Sequence, residues 1–217
     1  MWVQFPLPLL CVINLLMSLY KFVSLNRYDI PKIIKKYSYK NYIEIGIQNG
    51  NFTEFILNNT NLEHVIGIDP FLPCNGKECG WSHSHDVLIA DQETQSKTKL
   101  HTLKKLSRFG NKFQFFEMTS YEYGLTLKDE SLDIVFIDGD HSEDGVYQDL
   151  DIFYKKLRKG GLLVGHDYGG NFGRSEPVVQ VKSAVDKFCK NKNIKYFITD
   201  INYHYKETVQ SFFIFKK

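Results

Sequence analysis

Cysteine, proline, methionine and tryptophan are all scarce in this chain, and neither sign of charge is in excess. Four cysteines in 217 residues, Cys11, Cys74, Cys79 and Cys189, are too few for a disulfide-built scaffold and are not spaced as a zinc ribbon. Lysine and arginine number 27 against 25 aspartates and glutamates. So even a balance lacks the basic surplus that nucleic-acid binding needs on one face, and no nucleic-acid partner is expected. Steering of a ligand then falls to local fields rather than to net charge. Internal repeats and low-complexity tracts are absent, which excludes solenoids and propellers. What remains, 43% hydrophobic and 24% charged residues, is the composition of a globular protein. The length suits one α/β domain with a substantial core rather than two.

Charge is missing altogether from Met1 to Tyr20, where Phe5, Leu7, Leu9, Leu10, Val12, Ile13, Leu15, Leu16 and Leu19 form the longest apolar stretch. Residues 1–24 read as a signal-like or anchor-like segment ahead of a domain over 25–217. Pro6, Pro8, Asn14 and the lack of a preceding Lys or Arg weaken that reading, and an amphipathic or core-packing helix is the alternative. The basic residues follow at Lys21, Arg27, Lys32, Lys35 and Lys36. An uncleaved anchor would therefore leave the domain on the cytoplasmic side. The expectation is a membrane-associated or cytoplasmic protein, with a secretory route disfavoured.

Beyond Lys40 the chain alternates strand and helix patterns. Strands are expected at Tyr42–Ile45, His64–Ile68, Lys112–Phe116, Leu132–Ile137 and Leu162–Val164, and helices near Phe52–Leu57, Lys97–Phe109, Val146–Leu157 and Val181–Phe188. Such alternation builds a doubly wound parallel sheet with helices on both faces. Tyr196–Ile198 and Phe212–Phe215 have no helix-length segment between them and are expected to pair as a terminal antiparallel hairpin.

Chemistry concentrates at the strand ends. Glu44-Ile45-Gly46-Ile47-Gln48-Asn49-Gly50 lies between a strand and a helix, where glycines let backbone approach a ligand and the helix start offers free N–H groups. The pattern E-x-G-x-x-x-G lacks the middle glycine of a dinucleotide site and suits a ligand without a pyrophosphate. Glu44 can pair with a cationic amino-acid moiety, and Gln48 and Gly50 complete the turn. Asp69 ends the next strand, where a carboxylate can accept bonds from both ribose hydroxyls; its alternative role is that of a turn-forming Asp-Pro pair.

Asp133-Ile134-Val135-Phe136-Ile137-Asp138-Gly139-Asp140-His141-Ser142, then Asp149-Leu150, Leu157-Arg158-Lys159-Gly160-Gly161 and Gly165-His166-Asp167-Tyr168, carry the most specific signal. From about Tyr42 to Phe188 the chain resembles class I S-adenosylmethionine-dependent methyltransferases of the small-molecule O-methyltransferase type. That resemblance implies a Rossmann-like, mostly parallel seven-stranded sheet, S-adenosylmethionine as cofactor, and a small-molecule acceptor methylated on a hydroxyl. It places Asp138 beside the cofactor. Met118-Thr119-Ser120 stands where Gly-Asp-Ser is common, so the adenine-side contact passes to Thr119, Ser120 and neighbouring backbone. By the same resemblance Asp138 and Asp167, with His166 as a third ligand, are the candidates for a divalent ion, Mg²⁺ or Mn²⁺. His141 is the candidate base, neutral if a divalent ion lies between the carboxylates and charged if it takes that place itself, with Asp140 beside it in the catalytic set. A metal-free polar site, in which Asp138 and His141 cap a helix, is the alternative. A non-catalytic, tethered nucleoside-binding protein on the same fold is the competing functional class.

The segment from Phe71 to Gln95 exceeds an ordinary strand-to-helix loop and reads as a lid. Cys74, Cys79, His83 and His85 within it leave a zinc site or a disulfide open as further readings.

Overall fold

The computed structural model describes residues 26–75, 89–169, 180–199 and 209–217. The apolar segment 1–24 lies outside these residues, as do Cys79, His83 and His85 of the long loop. Among the described residues no helix is long and apolar enough to cross a membrane.

The main sheet has seven strands: β1 (Asn41–Ile45), β2 (His64–Ile68), β3 (Phe113–Phe116), β4 (Leu132–Ile137), β5 (Leu157–Gly165), β6 (Phe197–Ile198) and β7 (Phe212–Phe215). Their order is β3-β2-β1-β4-β5-β7-β6. Strands β1 to β5 are mutually parallel, while β7 runs antiparallel to both β5 and β6. This is the Rossmann-like sheet with its terminal hairpin. Because β1 pairs with both β2 and β4, the direction of winding reverses between β1 and β4. Open α/β sheets bind ligands in the crevice at that reversal, beyond the carboxyl ends of the strands.

Among the described residues six α-helices surround the sheet: α1 (Ile30–Tyr37), α2 (Asn51–Asn59), α3 (Gln92–Leu106), α4 (Ser120–Thr126), α5 (Glu143–Lys156) and α6 (Val181–Lys192). Period-two alternation in the strands divides the core. Tyr42, Ile134, Phe136, Leu162 and Val164 face Ile30, Ile33, Ile34, Ile56 and Leu106 of α1, α2 and α3. Ile43, Ile45, Val135, Ile137 and Leu163 face Val146, Leu150, Phe153, Val185 and Phe188 of α5 and α6. All six residues of β4 are buried, as the uninterrupted apolar run requires of a central strand covered on both sides.

Four elements differ from the sequence expectation, one of them helix α4, for which no helix was expected. Helix α1 occupies what looked like a plain basic stretch; its isoleucines are buried while Lys32, Lys35 and Lys36 stay on the outside. Helix α3 begins at Gln92, because Asp91 caps it by accepting from the Thr94 N–H at 2.8 Å, and a 3₁₀ segment replaces its last turn from Ser107. Strand β5 begins at Leu157 rather than Leu162. The pair Lys159-Gly160 bulges out of the β4–β5 ladder, with a register shift between Leu132 and Ile134, and the backbone there is satisfied by Lys216. A glycine at φ +75° is what allows the bulge. In the long loop, Cys74–Asn75 and Ile89–Ala90 pair as a two-residue antiparallel ladder.

Candidate active site

Four carboxyl ends meet at the reversal point. The Gly46 N–H bonds to the Ile68 carbonyl, Asp138 N–H to Ile45 and His166 N–H to Ile137, so the turns after β1, β2, β4 and β5 lie side by side. Gly46 has φ +81°, and a Cβ placed on it would run into the Asp138 carbonyl. The β1 turn therefore packs backbone against backbone on the β4 turn, which only glycine permits. Gly50, at φ +66°, starts α2, with Thr102 and Leu106 of α3 directly over it.

Gln48 is exposed at the tip of the turn. Its N–H donates to Asp69 Oδ2 at 2.8 Å, and the Phe71 N–H donates to Asp69 Oδ1 at 2.8 Å. One carboxylate thus ties the β1 turn to the β2 turn. Burial raises the Asp69 pKa, against the two backbone donors.

Glu44 lies beneath the turn rather than on its surface, at 2% exposure. Its Oε2 accepts the Tyr42 hydroxyl at 2.9 Å, and burial pushes its pKa up to about 8. A neutral, buried carboxyl is a poor direct partner for a ligand ammonium; its place is under the ligand, holding the β1 end.

Thr119 and Ser120 are both engaged within the protein. Thr119 caps α4 in a reciprocal box with Glu122, accepting from its N–H at 3.2 Å. The Ser120 hydroxyl donates to Asp149 Oδ1 at 2.5 Å. Asp149 is buried in α5, and burial pushes its pKa up to about 7. The box Thr119-x-x-Glu122 is visible in the sequence and marks the start of α4.

Asp138, His141 and Asp167 converge, with one ligand-type atom from each within 4.8 Å of the others. His141 Nε2 stands 3.0 Å from Asp167 Oδ2 and 3.6 Å from Asp138 Oδ1. Burial alone would lower the imidazole pKa, but the two carboxylates outweigh it and raise it to about 9. Asp167 shows the reverse: burial raises it, while His141 and His166 hold it well below the usual carboxylate range. With no ion between the carboxylates the charged imidazolium is favoured at His141; the neutral base is the form that goes with a bound divalent ion. His166 sits at the edge of the cluster, with Nδ1 3.1 Å from Asp167 Oδ1 and 3.9 Å from Asp138. The atoms that could hold an ion thus come from His141 in place of His166. Asp140 faces away; it is exposed and accepts the Ser142 N–H and hydroxyl at 2.8 and 3.0 Å, ordering the turn into α5.

Asp167 has φ +58°, and the next residue fixes it. The Tyr168 hydroxyl donates to Asp186 of α6 at 2.7 Å, beside Tyr196 and Lys182 on the same carboxylate. Arg27, which no sequence pattern singled out, reaches the same rim, with Nη1 3.8 Å from Asp138 Oδ2.

A doubly wound sheet with acidic residues and glycines at its reversal point defines a nucleotide- or nucleoside-binding class of α/β protein. Residues 43–168 match the family described as a methyltransferase domain, and the chain belongs to that family. It is similar to protein R132 of Acanthamoeba polyphaga mimivirus, itself uncharacterized, at 31% identity over 131 residues, covering 58% of this chain and 51% of the relative. The chain thus spans about half the length of that relative. Among solved structures it resembles the O-methyltransferase TomG from Streptomyces achromogenes in complex with SAM, at 10% identity and TM-score 0.62, covering 90% of this chain and 82% of that one. The O-methyltransferase from Bacillus cereus in complex with SAH is similar at 12% identity and TM-score 0.59, covering 99% and 93%. At these identities the likeness is one of fold.

Proposed function

We propose that this chain binds S-adenosylmethionine and methylates a hydroxyl group of a small molecule. The observation that carries the reading is the shared crevice: the family match begins in β1 and ends past Asp167, and it encloses the glycine turn, Asp69 and the Asp138–His141–Asp167 cluster around one reversal point.

The chain's own groups divide the work. The turn from Gly46 to Gly50 receives the cofactor's amino-acid part at its exposed tip, Gln48 and Asn49, while the glycines let the turn pack closely on the Asp138 backbone and under Thr102 and Leu106. Asp69 keeps lone pairs for ribose hydroxyls, because each oxygen receives one backbone N–H and a carboxylate offers about four acceptor sites. The adenine side is met by backbone at Thr119 and Ser120. S-adenosylmethionine, when bound, supplies an electrophilic methyl group on a sulfonium. Catalysis then rests on positioning and on removing the acceptor's proton. Asp138 is the most exposed member of the cluster and takes that proton. The His141 imidazolium favours the developing alkoxide electrostatically, and Asp167 holds the imidazole in place. The two carboxylates and a neutral His141 also fit a divalent ion, which would supply Lewis acidity to the acceptor oxygen. A proton on His141 and an ion are alternatives for the same place between the carboxylates.

Isothermal titration of the full chain with S-adenosylmethionine, S-adenosylhomocysteine and NAD tests the reading. The two S-adenosyl compounds are expected to bind and NAD is not, and Asp69→Ala is expected to weaken binding about tenfold or more. Binding of NAD in their place overturns the proposal. Unchanged affinity in Asp69→Ala removes Asp69 from the ribose.

A further inference from the structure

The crevice described above carries the carboxylates of Asp69, Asp138 and Asp167, yet the proposed ligand is a zwitterion. Its ammonium suits such a rim; its α-carboxylate does not, and it needs a cation. The turn from Glu44 to Gly50 contains none. His141 lies between Asp138 and Asp167 and is engaged by both.

Arg27 reaches the same rim. Its guanidinium lies over the Phe52 ring in the first turn of α2 and over Tyr28, with Cζ 5.4 Å from each ring centroid, and reaches the Asp138 carboxylate at 3.8 Å. It therefore bridges the end of β4 and the start of α2, directly across the β1 turn. The aromatic faces fix the plane of the fork, and the first turn of α2 adds its own partial positive charge to the same place.

The backbone that carries Arg27 is held on both sides. Asn26 is buried and forms a reciprocal box with Asp29, its Oδ1 accepting the Tyr28 N–H at 2.8 Å and its N–H donating to Asp29 at 3.1 Å. Ile30 is fully buried just beyond. Arg27 is thus the one residue of this turn that is both cationic and aimed at the crevice. It also lies outside the segment 43–168 that carries the family match.

We propose that Arg27 receives the α-carboxylate of the S-adenosyl ligand, so that the turn ahead of β1 supplies the cation which the glycine turn Glu44–Gly50 itself lacks. A planar fork with parallel N–H donors matches a carboxylate in a way that a point charge does not. The inference rests on the methyltransferase reading and adds a residue to it.

The test compares S-adenosylmethionine with its decarboxylated analogue, titrated into the full-length parent and the variants Arg27→Ala, Arg27→Gln and Arg27→Lys. Arg27→Ala and Arg27→Gln are expected to lose about 10- to 100-fold in affinity for S-adenosylmethionine while changing by no more than about twofold for the analogue, with Arg27→Lys in between. Retained binding of the analogue shows that the variants are folded. Equal losses for both compounds, or no loss for either, overturn the assignment while leaving the cofactor reading intact. A parent that binds neither compound overturns both.

Discussion

At Asp149 a single buried carboxyl makes stability depend on pH. It accepts the Ser120 hydroxyl, and burial holds the proton on it to about pH 7, against 3.8 for the free side chain. Between those values the folded chain binds more protons than the unfolded one, so stability falls as pH rises from about 4 to about 7 and the contribution is lost above that. Asp149→Asn keeps an acceptor for Ser120 and removes the titration. Urea unfolding at about pH 5 and about pH 8 is expected to show a smaller loss of stability on going to the higher pH in the variant than in the parent. Identical pH dependence in the two proteins would show that Asp149 is ionised in the fold. Gly46 makes a different point at the same scale: its identity is set by the carbonyl of a residue far along the chain, and the sequence shows only that a glycine is there.

Among the elements, α1 is the one whose removal tests the domain boundary. Ile30, Ile33 and Ile34 are buried at 0–3% exposure and cover the face of the sheet formed by Tyr42, Ile134 and Phe136. Burying one such side chain stabilises by roughly 1.5–3 kcal/mol, so three together approach the whole stability of an ordinary domain. A chain trimmed to begin at Asn26 is expected to unfold cooperatively with a midpoint close to that of the parent. A chain begun at Asn41 is expected to lose most of its stability or fail to fold, as circular dichroism on heating would show. Full stability of the shorter chain would make α1 an appendage. Helix α1 escaped notice because its isoleucines are interleaved with lysines over only eight residues, too short a window for the helical period to stand out. Helix α4 is absent from the sequence expectation, since seven residues are too few for a period and only its capping box is written locally. The bulge at Lys159-Gly160 is not legible in the sequence, since a glycine pair marks a turn as well as a bulge and only the partner strand tells them apart.

Across the whole molecule, parallel pairing of β4 with β5 brings Asp138 and Asp167 together, and the first turn beyond β4 swings His141 between them. If this cluster takes a divalent ion, Mn²⁺ titrated into chelator-treated protein is expected to bind at one site, and Asp167→Asn is expected to lose about tenfold or more of that affinity. Equal binding by parent and variant, or none by the parent, would leave His141 and the carboxylates acting as a metal-free ion triad. The sequence by itself determined the order of strands and helices, the glycine turn after β1, the acidic residue after β2 and the long segment that places the chain in its family. Each of these is local: period, turn chemistry and spacing are written within a few residues. Which groups face one another was decided only by the tertiary structure. Glu44 went under the turn to Tyr42, Ser120 turned inward to Asp149, His141 gained its proton between two carboxylates, and Arg27 came to the rim from outside the family segment. These outcomes depend on burial and on distances between elements far apart in the chain, and protonation follows from both, so no stretch of sequence carries them.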